Sequence, residues 1–165
     1  MVRKLLLTTL VGAMALGSVP AFATSAGDPD DSTSKLDIRN SGVRVLDLEG
    51  GGRRVRLAVR TYGAFDLITV GGSFYWQLDT NGDTEQDFEV FMWGDPKTDG
   101  GPLYCWVKEI GVKGHFDGRI AQTADDAVQC GFPLRHLDHA PKNWRVASRL
   151  EGVVDRAPNS GWYGV

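Results

Sequence analysis

Beyond its first two dozen residues this 165-residue chain has no apolar run long enough to cross a bilayer, no long amphipathic stretch and no excess of positive charge. The first lack excludes a helical membrane span there. The second argues against helical bundles and α/β folds. The third makes nucleic acid a poor partner, because binding it needs a basic surface that displaces counterions. No Gly-x-Ser-x-Gly elbow, phosphate loop, dinucleotide fingerprint or Cys-x-x-Cys pair is present, which removes the commonest catalytic and cofactor signatures. His136-x-Asp138-His139 has no second histidine cluster to complete a catalytic metal centre, and His115 stands alone.

The N-terminus has the layout of a secretory signal peptide over residues 1–23. Arg3 and Lys4 precede the apolar stretch Leu5 to Leu16, and Ala21-Phe22-Ala23 offers a small-x-small cleavage site. Cleavage there starts the mature chain at Thr24 and takes two basic residues away, moving the net charge from −3 to about −5. A secreted or extracellular location follows as the expectation. In such a compartment Cys105 and Cys130, the two cysteines of the chain, are expected to form one disulfide.

Residues 24–35, TSAGDPDDSTSK, lack apolar periodicity and read as a flexible polar leader. Asp28, Asp30 and Asp31 could help hold calcium, although a solvated tail is the commoner meaning of such a cluster. From residue 36 to 165 the pattern is that of a single β domain. Leu36, Ile38, Val43 and Val45 alternate with polar residues, with a change of parity at Ser41-Gly42 that suggests a bulge. In Arg54 to Tyr62 the apolar Val55, Leu57 and Val59 oppose Arg54, Arg56 and Arg60, as in a strand with one wet face. Further strands are expected around Leu103–Val107, Arg119–Gln122, Ala127–Phe132 and Trp144–Arg149, with helical turns at Ala64–Val70 and Pro133–Leu137. About eight short strands and no long helix predict an all-β, antiparallel β-sandwich of jelly-roll type.

The most informative stretch is Phe74 to Trp93, FYWQLDTNGDTEQDFEVFMW. Asn81-Gly82 suggests a two-residue hairpin turn. That turn would set Leu78 opposite Glu85 and Trp76 opposite Asp87, apolar against charged. A five-residue loop instead pairs Leu78 with Phe88, Trp76 with Val90 and Phe74 with Met92, which keeps the apolar faces together, and a single bulge beside a tight turn would also repair the parity. The wider loop gathers Asp79, Asn81, Asp83, Glu85 and Asp87. These are either calcium ligands in a non-EF-hand arrangement or a solvated acidic loop. Gly82 and Val90 stand where an EF-hand needs other residues. Asp87 and Glu89 share a strand rather than facing each other across a cleft, so they make a weak glycosidase pair, and no catalytic residue is assigned. Tyr75, Phe91 and Trp93 lie opposite the core face. They either pack under a covering element or form an aromatic platform for a ligand.

Four segments, RRVRLAVRTY, FYWQLDTNGDTEQDFEV, NWRVASRL and VVDRAPNSG, run in an order that resembles exported bacterial β-sandwich domains of the DOMON-like and family 9 carbohydrate-binding-module type. The resemblance implies binding of sugar or another ligand, sometimes with structural calcium. Some DOMON domains hold haem through Met and His. Here the single methionine beyond the signal, Met92, points to the core by parity. Together these features point to a secreted non-enzymatic domain for an extracellular glycan or cell-wall component. The alternative is a secreted structural or protein-interaction module.

Overall fold

Alternating apolar and polar residues in segments too short for helices give strands that bury one face each. In the computed structural model, which describes residues 24–97 and 101–165, these strands form two antiparallel sheets. The expected signal peptide and the middle of the loop after Gly94 lie outside the described residues. The first sheet contains β1 (Thr24–Gly27), β2 (Ile38–Asp47), β3 (Arg53–Thr61), β8 (Arg119–Ala124) and β9 (Ala127–Pro133), ordered β1-β2-β3-β9-β8. The second contains β4 (Ser73–Asp79), β5 (Phe88–Gly94), β6 (Leu103–Glu109), β7 (Phe116–Asp117), β10 (Asn143–Leu150) and β11 (Val153–Ala157), ordered β11-β10-β4-β5-β6-β7. The short β12 (Tyr163–Gly164) adds to β10 beside Asn143 and Trp144. The chain crosses between sheets after β3, β7 and β9, and the predicted sandwich is the observed architecture.

The core lies between the inward faces. Val55, Leu57, Val59, Val128 and Phe132 of the first sheet meet Phe74, Trp76, Val90, Met92 and Val146 of the second. The register between β4 and β5 is the one that parity selects: Phe74 opposite Met92, Trp76 opposite Val90 and Leu78 opposite Phe88. Cys105 on β6 and Cys130 on β9 form the expected disulfide and join the sheets along one flank. The helical turn before Gly71 is α1 (Leu67–Val70), capped by the Asp66 carboxylate on the Ile68 N–H and closed by Gly71 at φ 64°. Such a cap satisfies an N–H that the first turn leaves open, and the left-handed φ suits glycine. No helix among the described residues is long and apolar enough to cross a membrane.

Two expectations need correction. The leader is not a free tail along its whole length. Residues 24–27 form β1, paired with Asn40–Val43 of β2, and Asp28 and Asp37 are buried. Small polar residues carry no alternation signal, and the pairing rests on the backbone. The irregularity in β2 falls between Ile38 and Asn40 rather than at Ser41-Gly42. A bulge there keeps both Ile38 and Val43 inside.

Candidate functional site

The hairpin loop between β4 and β5 is built on two carboxylates that serve its own backbone. Asp79, fully buried at the end of β4, accepts from the N–H groups of Gly82 (2.6 Å) and Thr84 (2.9 Å) and from Asn143 Nδ2 (2.7 Å). Asp87 accepts from the N–H (2.7 Å) and hydroxyl (2.8 Å) of Thr80, and more distantly from Asn81. Burial pushes the Asp79 carboxyl up, but the bonds from Asn143, Gly82 and Thr84 outweigh it and hold the group below its ordinary 3.8. The exposed Asn81 and Asp83 continue the pattern. Asn81 Oδ1 accepts from the Asp83 N–H and Asp83 Oδ1 from the Glu85 N–H, both at 2.8 Å. Four of the five side chains therefore accept from backbone amides and Glu85 does not, and among the described residues no three carboxylates of this loop converge closely enough to hold a metal ion. Asp79→Asn should cost about 2 kcal/mol at neutral pH, since hydrogen bonds to a charged group are the stronger kind. A lowered folded-state pKa contributes stability that is present above the unfolded value and lost as pH falls through the folded one. The gap between wild type and variant in urea unfolding should thus narrow below about pH 4.

The outward face of the second sheet carries the aromatic row. Tyr75 on β4, Phe91 and Trp93 on β5, and Tyr104 and Trp106 on β6 all point away from the core, as does the neighbouring His115. Tyr75 and Phe91 meet edge-on at 6.4 Å, Phe91 and Trp93 lie 5.1 Å apart, and Trp93 stacks on Tyr104 at 4.9 Å. Trp106 meets Trp93 at 4.4 Å and stacks on His115 at 4.3 Å. Phe91 and Trp106 are 37% and 40% exposed, while Tyr75, Trp93 and Tyr104 are half-buried by one another. Among the described residues no strand covers this face.

A polar chain fixes the Tyr75 end of the row. Arg145 donates to Gln77, Gln77 to Gln86, and Gln86 to the Tyr75 hydroxyl at 3.2 Å. Burial and the nearby Glu89 push the Tyr75 phenol up, against the donor from Gln86, so it stays protonated in neutral solution. Arg145 also lies 4.6 Å over the Trp162 ring, a cation–π contact that brings the C-terminal segment to the site. Tyr75 and Phe91 form a ridge between two depressions. One, of about 490 Å³, is bordered by Arg145, Arg149, Arg156 and Asn159. The other, of about 350 Å³, is bordered by Glu89, Lys108, Trp106 and His115.

Tyr104, Trp106 and His115 extend the site that sequence reasoning limited to Tyr75, Phe91 and Trp93. The signal for the first two was present, since both alternate with Cys105 on β6. His136 stacks on Phe116 at 4.2 Å, and His139 and Asp138 border a separate depression with Asp87 and Glu109. Comparison of the chain with family models, curated proteins and solved structures gives no match, and nothing in it identifies a DOMON-like or family 9 module.

Proposed function

We propose that this chain is an exported, non-enzymatic binding domain whose second sheet presents its outer face to an extracellular glycan or cell-envelope component. The observation that carries this reading is the row from Tyr75 to Trp106 on a face that, among the described residues, no other strand covers. Rings on β4, β5 and β6 span about 10 Å at ordinary strand spacing, which suits a short oligosaccharide. Flat rings offer apolar surface to the C–H faces of sugars at little entropic cost. Glu89, Lys108 and Arg145 beside them supply the polar groups that fix orientation in such sites. The inter-sheet disulfide suits an oxidising compartment, and the signal-peptide pattern points the same way.

A glycan array followed by calorimetry tests the proposal. Phe91→Ala and Trp106→Ala remove half-exposed rings outside the core, so each should lower the melting temperature by only a few degrees and weaken binding about tenfold, equivalent to about 1.4 kcal/mol. Binding that survives both substitutions, or no glycan bound at all, would overturn it. A silent array together with a specific protein captured through the same rings would favour an interaction module.

A further inference from the structure

Away from the aromatic face, carboxylates converge where the leader meets the second sheet. Asp28 follows β1, Asp31 lies three residues on, and Asp155 comes from β11. One carboxylate oxygen of each lies within 4.8 Å of those of the other two. Asp28 is 7% and Asp155 4% exposed. Asp37, outside this trio, is 2% exposed, and its carboxyl lies against Asp30 and in the field of Asp155.

Backbone and amide donors satisfy part of this group. Asp155 accepts from the Ile38 N–H (2.7 Å) and the Arg156 N–H (2.8 Å), and Asp31 from Asn159 Nδ2 (2.7 Å). Asp37 Oδ2 accepts a long bond from the Ser32 N–H (3.4 Å). Asp28 Oδ2 and Asp37 Oδ1 are buried without any hydrogen-bond partner. Among the described residues, no Lys, Arg or His forms an ion pair with any of these acids.

Buried anionic oxygens without partner or countercharge are costly, and two remedies exist. One is protonation: burial, Asp155, Asp31 and Asp37 push the Asp28 carboxyl up to about 7. The other is a cation. We propose that Asp28, Asp31 and Asp155, with Asp37 beside them, form a site for a hard divalent cation, calcium by preference, that ties the leader to β11.

The chemistry of the donors selects the ion. All are carboxylate oxygens, which suit calcium or magnesium rather than zinc or copper. Two oxygens bound to one calcium at 2.3–2.6 Å lie at most about 5 Å apart, and the trio meets that limit. Magnesium demands a tighter octahedron and keeps its waters, so it should bind more weakly here. The surroundings are already ordered: the Tyr62 hydroxyl donates to the Asp28 carbonyl (2.7 Å) and the Tyr163 hydroxyl to the Gly27 carbonyl (3.2 Å). The bond from Ile38 to Asp155 crosses from one sheet to the other at this place. The site therefore joins the sheets on the flank opposite the disulfide.

Thermal melts of the purified protein at pH 7.5, in chelator and in millimolar calcium or magnesium, test the site. Calcium should raise the melting temperature by roughly 5 °C and magnesium by much less. Asp28→Asn removes an unpartnered buried charge, so it should melt higher than wild type in chelator and show no calcium shift. Asp31→Asn, at an exposed position, should raise the chelator value less than Asp28→Asn does and weaken the apparent calcium affinity at least about tenfold. Asp83→Asn with Glu85→Gln in the hairpin loop should retain the full shift. Absence of a calcium shift in wild type would overturn the proposal. So would a shift that survives Asp28→Asn and Asp31→Asn, or one lost in the hairpin-loop variant instead. Should Asp28→Asn fail to fold, the Asp31→Asn titration decides alone.

Discussion

Trp76→Ala should remove about 3–5 kcal/mol of folding free energy, the range for emptying a large aromatic site in a packed core. Trp76 is fully buried on β4, with Val90 and Val146 as its cross-strand neighbours. Its ring lies 5.3 Å from that of Trp144, which in turn packs 4.6 Å from Tyr163. No small side chain can fill the space, because each neighbour is held in register by its own strand. Trp76→Phe should be milder. It keeps most of the volume and deletes the Nε1–H, a buried donor with no partner. Urea unfolding followed by far-ultraviolet circular dichroism separates the two variants. A loss below about 1 kcal/mol for the alanine would show that the sandwich core does not depend on this ring. The result bears on function, because Tyr75 and Gln77 flank Trp76 on the opposite face of the same strand. The aromatic row keeps its geometry only while the inward side of β4 is packed.

That coupling of two faces is also why much of the fold was legible. Phe74, Trp76 and Leu78, set against Phe88, Val90 and Met92, keep apolar groups away from carboxylates either through an odd-length loop or through a bulge beside a tight turn, and the odd-loop register is the one found. The outward direction of Tyr75, Phe91 and Trp93 followed from the same parity. Whether anything covered them did not, since burial of an outer face depends on what the rest of the chain places above it. In the hairpin loop the acidic spacing was visible, but not that Asp79 and Asp87 turn their oxygens onto amides of Gly82, Thr84 and Thr80. Backbone donors leave no trace in a string of side chains. The strand at residues 24–27 escaped for the same reason. Asp155 escaped for another: nothing local in VVDRA marks a carboxylate that meets Asp28 and Asp31 from the far end of the chain.

Breaking the Cys105–Cys130 bridge, by reduction or as a double serine variant, should cost about 3 kcal/mol. The bond closes a loop of 25 residues, and on the chain-entropy account its effect comes mainly from the unfolded state it constrains. The folded chain is fitted around it. A side chain on Gly118 would bring its Cβ within 2.5 Å of the Cys130 sulfur and 2.8 Å of the Cys105 sulfur, while the Gly118 N–H donates to the Cys105 carbonyl at 2.8 Å. The bridge joins β6 to β9, whereas the proposed cation site joins β1 to β11, two or more strand spacings away in the first sheet. Sites separated by about 10 Å without shared partners usually act additively. The calcium-induced gain in stability should therefore be the same in oxidised and reduced protein, measured by urea unfolding under each condition. A gain that vanishes on reduction would mean that the two flanks open as one unit, with the sheets held together by the bridge alone.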